Sequence, residues 1–336
     1  MIREAIKKVI DGQNLSEDEA SDVMDKIMSG KATDAQIASF LTALRMKGET
    51  VEEITGFASV MREKSTRVRP RQELVIDTCG TGGDLSGTFN ISTAAAFVVA
   101  GAGVHVAKHG NRSVSSHCGS ADVLETLGIR LDLPPQTVAK AIDEVGIGFL
   151  FAPLFHQAMK FVMPARKETG IRTVFNILGP LTNPAGASCQ VVGVYDRNLT
   201  ATLATVLGNL GSKHALVVHG DGLDEISNTG ESIISEYHHG SVETYSVTPQ
   251  EFGLRRAKHY ELKGGSAREN AAMLRDVLRG KNGPRRDVVL LNAAAALAAA
   301  DRVNNLKEGI ELAAQSIDGG EAHRKLKRLV EFSRKA

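Results

Sequence analysis

At Leu74 the patterning of the chain changes, and that change constrains the fold more than any other feature. Before it, apolar residues recur only at helical spacing. Ser16 with Glu19, Thr33 with Gln36, and Thr50 with Glu53 each fit a capping box, a hydroxyl residue followed three positions on by an acid or amide. An apolar stripe follows each: Ala20, Val23, Met24 and Ile27; then Ile37, Phe40, Leu41 and Leu44; then Ile54, Phe57, Ala58 and Met61. Three amphipathic helices with short connections predict a small bundle over the first 66 residues, left through the linker Val68-Arg-Pro-Arg-Gln72.

After Leu74, short β-rich runs alternate with helical stretches. Strands are predicted at 74–77, 104–107, 147–151, 190–195, 215–219 and 233–238, with a weaker signal at 241–246. Helices are predicted at 93–100, 121–127, 134–144, 199–210, 268–278 and 288–300, and a last charged helix around 324–330. Such alternation predicts an α/β fold, a mostly parallel sheet flanked by helices, whose ligands bind beyond the carboxyl ends of the strands. The segment 153–184, punctuated by Pro and Gly, breaks the alternation and reads as a helical excursion that packs back on the bundle. The expected division is a small all-helical domain over 1–71 plus about 163–184, and a larger α/β domain over 72–162 plus 185–336.

With 336 residues the chain exceeds the usual size of a single core, which agrees with two domains. Its net charge of +1 gives no general pull toward nucleic acid or anionic membrane, so any positive potential must be local. The three cysteines, Cys79, Cys118 and Cys189, form no CxxC pair and no even framework. A reducing cytoplasm is expected. The charged start, Met1-Ile-Arg-Glu-Ala-Ile-Lys-Lys8, does not read as a signal peptide, and the run around 292–300 is too short to span a bilayer.

The chemistry-bearing groups lie in loops after predicted strands. Asp77-Thr-Cys-Gly-Thr-Gly-Gly-Asp84 crowds Gly80, Gly82 and Gly83, then Gly87, ahead of a helix start rich in capping residues, Asn90, Ser92 and Thr93. Small residues let backbone N–H groups close on an anion, and a helix start adds free N–H groups and a favourable dipole. The loop is neither a Walker A loop nor a dinucleotide fingerprint. A second loop brings charge from Lys108 and Arg112 and hydroxyls from Ser113, Ser115 and Ser116. Together they read as a site for a ligand with more than one phosphate. The adjacent carboxylates Asp224 and Glu225 would suit the Mg²⁺ that a diphosphate brings, although alone they describe a solvated turn as well. Arg166 would suit a substrate carboxylate, or a solvated helix end. The histidines other than His109 show no metal-ligand spacing and are expected to be structural or exposed.

These blocks, with Gly119-Ser-Ala-Asp122, Asn176-Ile-Leu-Gly-Pro-Leu-Thr-Asn-Pro184 and Gly220-Asp-Gly-Leu-Asp-Glu225, resemble the anthranilate phosphoribosyltransferases over nearly the whole chain. The resemblance implies transfer of a phosphoribosyl group from phosphoribosyl diphosphate to the amine of anthranilate, in tryptophan biosynthesis. It implies Mg²⁺ and a homodimer formed through the helical domain. It assigns Gly80, Gly82, Gly83, Asp84, Thr88, Asn90, Ser92, Thr93, Lys108, Gly110, Asn111, Ser115, Ser116 and Ser120 to the phosphoribosyl diphosphate. Gly80, His109, Asn111, Arg166 and Gly179 fall to anthranilate, Ser92, Asp224 and Glu225 to the metal, and Lys108, Asp224 and Glu225 to catalysis. The rival expectations are a pyrimidine nucleoside phosphorylase of the same fold and a non-catalytic relative that binds nucleic acid. The near-zero net charge and the intact Asp224-Glu225 pair weigh against the second.

Overall fold

The computed structural model describes residues 2–113 and 118–336. Four helices open the chain: α1 (Ile2–Ile10), α2 (Glu17–Met28), α3 (Asp34–Lys47) and α4 (Val51–Lys64). Ser16, Thr33 and Thr50 are the N-caps of α2, α3 and α4, and all three capping boxes are closed. Helix α1 was not expected; Ile2, Ala5 and Val9 bury one face of it at helical spacing.

Glu53 shows how a local signal becomes tertiary. It is fully buried, closes the cap of α4 at Thr50 N (2.9 Å), accepts from Leu15 N (2.9 Å) and pairs with Lys47 Nζ (2.9 Å). Glu53→Ala leaves the Leu15 and Thr50 N–H groups without their carboxylate acceptor, while the Lys47 ammonium keeps Asn14 Oδ1 and Gly48 O. It is expected to cost about 2–3 kcal/mol of stability in urea unfolding, whereas a loss below about 1 kcal/mol would mean that solvent replaces the carboxylate.

The remainder is built on a seven-stranded sheet in the order β3-β2-β1-β4-β5-β6-β7. Its strands are β1 (Ile76–Gly80), β2 (Val106–Gly110), β3 (Ile147–Phe151), β4 (Cys189–Gly193), β5 (His214–Gly220), β6 (Ser232–His238) and β7 (Ser241–Val247). The first five run parallel, and β6 and β7 are added antiparallel at one edge. Helix α5 (Ile91–Gly101) and the helix Pro284–Ala299 are buried nearly all round, as two apolar helices behind a sheet must be. The helix Leu306–Asp318 was also not expected.

Strand ends differ from expectation where they matter most. Lys108, His109 and Gly110 do not lie in a loop. They are the end of β2, in register with Phe149, Leu150 and Phe151 of β3. A central parallel strand is covered on both faces and normally reads as apolar, so a Lys-His pair there looked like a loop. Likewise β1 runs on through Gly80, paired with Gly193 of β4.

The excursion does pack against the bundle. Val162, Ala165, Val174, Phe175 and Leu178 share one apolar cluster with Phe40, Phe57 and Met61. That cluster runs on without a break to Val192 and Val194 at the end of β4 and to Leu203 and Leu207 of the helix Leu199–Asn209. The strand order reverses between β1 and β4, so the crevice beyond their carboxyl ends is the switch point at which ligands of such sheets bind.

Candidate active site

Around that switch point the loop after β1 meets the loop after β5. Asp224 Oδ2 accepts from Gly82 N at 2.8 Å, and Asp224 N donates to Asp84 Oδ2 at 3.4 Å. The approach is so close that a Cβ on Gly80 would sit 2.3 Å from Asp224 Oδ2, and one on Gly193 only 1.6 Å from the Asp224 carbonyl oxygen. Gly82 and Gly83 both take positive φ, +64° and +78°, which a side chain would strain. Thr81 N donates to Gly193 O at 2.9 Å and ties the loop to β4.

Glu225 Oε1 accepts from Ser92 N at 3.0 Å. This first-turn N–H of α5 was expected to be free for an anion, and here a carboxylate of the chain itself holds it. Asn90 is the N-cap of α5 but makes no capping bond; its amide bridges Cys118 O (3.1 Å) and Asn270 (3.1 Å). Lys108 is 2% exposed; its ammonium donates to Thr78 O and stands 3.5 Å from Ser92 Oγ. Thr93 Oγ1 is buried without a hydrogen-bond partner among the described residues. Thr88 bridges the chain to Lys263, outside the carboxylate cluster.

Burial, then the neighbouring Asp84 charge, push the Asp224 carboxyl well above the usual range. Burial and Asp224 push Glu225 well above it too, with Lys108 working against them. Half-buried carboxylates on neighbouring loops with little positive charge between them offer a hard, oxygen-only donor set, the chemistry that Mg²⁺ takes. Asp84, Asp224 and Glu225 meet that test. Ser92 offers a hydroxyl beside them, although it faces the Lys108 ammonium.

Across β2 lies a second half-site. His109 N donates to Asp77 Oδ1 at 3.1 Å, while Asn183 Nδ2 donates to Asp77 Oδ2 and to Ala107 O, both at 2.7 Å. Asn183 belongs to the 176–184 block, which thereby sets Gly179 near His109. The His109 ring lies 5.1 Å from that of His156; among the described residues, His109 Nε2 and both ring nitrogens of His156 are buried without a hydrogen bond of normal geometry, with the Gly179 backbone beside His109 and the Thr182 backbone beside His156. A flat polar-edged ligand would satisfy them. Gly110 and Ser120 lie in contact, since a Cβ on Gly110 would fall 2.2 Å from Ser120 Oγ, and Ser120 donates to Asn111 O at 3.3 Å. Ser115 and Ser116 lie outside the described residues.

Burial pushes the His109 imidazole down to about 3, helped by His156, and that of His156 down to about 4. An unfolded histidine takes up its proton near pH ~6.5. Below that the unfolded chain binds protons that the folded one refuses, so stability falls as pH drops toward about 4. Each histidine adds a slope of up to about 1.4 kcal/mol per pH unit. His156→Gln is expected to flatten the fall in urea stability between pH 7 and 5 by about that slope; an unchanged fall would show that His156 is solvated.

One expectation about the arginines needs correction. Arg112 does not offer free charge to a ligand: it is tied to Asp122 (2.9 Å) and to Glu125 (2.8 Å). Arg166 lies on the helix Met163–Thr169, and its guanidinium stacks 5.5 Å over the Phe175 ring. It meets no carboxylate among the described residues, and burial lowers its pKa, as befits a cation held ready without a counter-ion.

The α/β domain of a glycosyl transferase family matches residues 72–323, and that family's helical bundle domain matches residues 3–65. The anthranilate phosphoribosyltransferase of Symbiobacterium thermophilum is 62% identical over 329 residues, 98% of this chain and 96% of the relative. The chain belongs to the anthranilate phosphoribosyltransferase family. The family member from Moorella thermoacetica is 60% identical, over 98% of both chains. The anthranilate phosphoribosyltransferase of Thermus thermophilus superposes with a TM-score of 0.94 at 47% identity, covering 98% of this chain and 99% of that one. The Saccharomyces cerevisiae anthranilate phosphoribosyltransferase in complex with PRPP and Mg gives 0.91 at 32% identity, covering 100% and 98%. Both anthranilate phosphoribosyltransferase structures share the helical bundle joined to a mostly parallel sheet.

Three residues that support the site were not foreseen in this anthranilate phosphoribosyltransferase relative. Arg172 donates to the Gly83 carbonyl and stacks 4.6 Å over the Tyr195 ring, bracing the glycine loop. His156 is buried beside His109. Asn292 accepts from Ile226 N (2.9 Å) and donates to Ile226 O (2.8 Å), which fixes the backbone next to Glu225. Only Asn292 carries a sequence signal, a lone amide within an apolar helical run.

Proposed function

We propose that this chain transfers the phosphoribosyl group of phosphoribosyl diphosphate to the amine of anthranilate, releasing diphosphate. The observation that carries the reading is that two unlike groups lie at the carboxyl ends of the central strands. One is a carboxylate cluster against a glycine loop; the other is the His109–His156 pair, whose ring nitrogens lack hydrogen bonds of normal geometry among the described residues. The first suits a metal-bound diphosphate, the second an aromatic acceptor.

The acceptor is an aryl amine, neutral at pH 7, and needs no strong base. The harder step is departure of diphosphate, which builds negative charge on the leaving group and positive charge on the ribose. When bound, Mg²⁺ would offset the charge on the leaving diphosphate. Asp224 and Glu225, with Asp84 and Ser92 beside them, would hold that ion. Gly80, Gly82, Gly83 and Asp84 would cradle the phosphates, and Thr88, Asn90 and Thr93 would line the start of α5. Lys108 supplies a fixed cation beneath Ser92 and Glu225, preorganised rather than recruited. Asn111, Gly179 and the two histidines would position the ring, and Arg166 the carboxylate. Holding both substrates near contact contributes several kcal/mol in favourable cases.

A homodimer through the helical bundle is part of the same proposal. It is supported by Ile10 and Met46, 67% and 84% exposed on α1 and α3. Among the described residues no helix is long and apolar enough to cross a membrane. The three free cysteines suit a reducing, cytoplasmic setting. The test is direct: protein, Mg²⁺ and phosphoribosyl diphosphate should extinguish anthranilate fluorescence in a single exponential. No loss of fluorescence, or phosphorolysis of thymidine instead, would overturn the reading.

A further inference from the structure

A glycine loop receives an anion only where its N–H groups, and not its carbonyls, face the ligand, and residues 81–84 are where that sense is set. Thr81 N is taken by Gly193 O at 2.9 Å and Gly82 N by Asp224 Oδ2 at 2.8 Å. The next two N–H groups, those of Gly83 and Asp84, have no acceptor among the described residues. Adjacent backbone N–H groups in a turn form an anion-binding concavity. In a trans peptide the carbonyl and the following N–H point opposite ways, so whatever holds the carbonyl aims the N–H. Thr81 Oγ1 donates to Gly82 O at 3.3 Å, and the Arg172 guanidinium donates to Gly83 O. Of these two clamps only Arg172 reaches in from outside the loop.

Tyr195, two residues beyond β4, serves both clamps. Its backbone N donates to Thr81 Oγ1 at 3.2 Å, which orients that hydroxyl on Gly82 O. Its ring lies 4.6 Å from the Arg172 guanidinium, which a stacked aromatic face holds in one plane. Gly83 leaves room for that guanidinium: a Cβ there would lie 3.1 Å from Arg172 Nη2. The same glycine makes the clamp necessary. Gly83 sits at φ +78°, glycine takes either sign of φ, and aspartate is among the residues that tolerate a positive one. With Arg172 gone, little would prevent the Gly83–Asp84 peptide from turning over and setting its carbonyl oxygen against the phosphates.

We propose that Arg172, steadied by Tyr195, is a positioning residue of the donor site: it holds the Gly83–Asp84 peptide in the sense that offers its N–H to a diphosphate. The inference rests on the reading of this loop as the phosphoribosyl diphosphate cradle. The role is selective, because the backbone of His109 on the acceptor side is held by Asp77, and Asp77 in turn by Asn183. Arg172 acts here as a clamp and not as a loose charge. Its guanidinium is bonded to the Gly83 carbonyl and laid on the Tyr195 ring, so the clamp depends on an aromatic side chain at 195, whereas a charge pairing directly with phosphate would not.

The test is calorimetric binding of phosphoribosyl diphosphate with Mg²⁺ to the full chain, together with steady-state constants for both substrates. Arg172→Met keeps a long side chain but donates nothing to Gly83 O. It should weaken phosphoribosyl diphosphate at least about tenfold, in Kd and in KM, while the KM for anthranilate stays within about twofold on a chain that melts as its parent does. Tyr195→Leu should weaken the donor about threefold to tenfold, and Tyr195→Phe, which keeps the ring face, should leave it unchanged. The amide nitrogen resonance of Asp84, which responds to bonding at the carbonyl of its own peptide, should move in ligand-free Arg172→Met. Donor binding unchanged in Arg172→Met, an equal loss for both substrates, or a Tyr195→Leu chain that binds the donor normally would overturn the proposal alone. A parent chain that binds no phosphoribosyl diphosphate would remove the functional reading along with it.

Discussion

Asp224→Asn combined with Glu225→Gln should lower turnover by about a thousandfold or more, equivalent to about 4 kcal/mol of lost transition-state stabilisation, while the fold survives. The folded chain confines both carboxylates against burial, Asp84 and each other. The amides are isosteric and relieve that repulsion, so the variant should melt no lower than its parent. What it loses is the ability to hold a divalent ion against the diphosphate. Raising Mg²⁺ should recover little of the rate. Steady-state rates at limiting and saturating Mg²⁺, with a thermal melt on the same sample, decide the matter. Near-normal turnover at limiting Mg²⁺ would remove these residues from the metal site.

Arg166→Ala is expected to divide the two substrates. The guanidinium rests on Phe175 with no anionic partner among the described residues, and a ligand carboxylate would supply one. Losing a charge-assisted contact costs about 1.5–3 kcal/mol, so the Michaelis constant for anthranilate should rise about tenfold to a hundredfold. The constant for phosphoribosyl diphosphate should stay within about twofold, because the glycine loop is braced by Arg172 instead. Equal rises in both constants would return Arg166 to a structural role.

The parts legible in the sequence are those written locally. A capping box spans four residues, and Ser16, Thr33 and Thr50 each mark a helix start because both partners of the box are present. The glycine loop was legible for the same reason: close approach and positive φ are demands that few other residues meet. Lys108 and His109 misled because a buried central strand ordinarily carries neither. Arg112 misled in the opposite sense, since its partners Asp122 and Glu125 lie a helix away. Arg172, His156 and Asn292 matter only through what the fold sets beside them. No spacing in the chain announces a guanidinium that reaches Gly83, 89 positions back.

The apolar cluster that joins Phe40 and Phe57 to Val192, Val194 and Leu203 has a consequence for how the molecule comes apart. An N-terminal piece cut away at the linker would expose this seam on both fragments, and neither should remain soluble. Scanning calorimetry of the whole chain should therefore give one endotherm in place of a pair. Any breathing of the crevice during turnover has to come from sliding along greasy surfaces, because a free swing about residues 68–72 would tear that seam open.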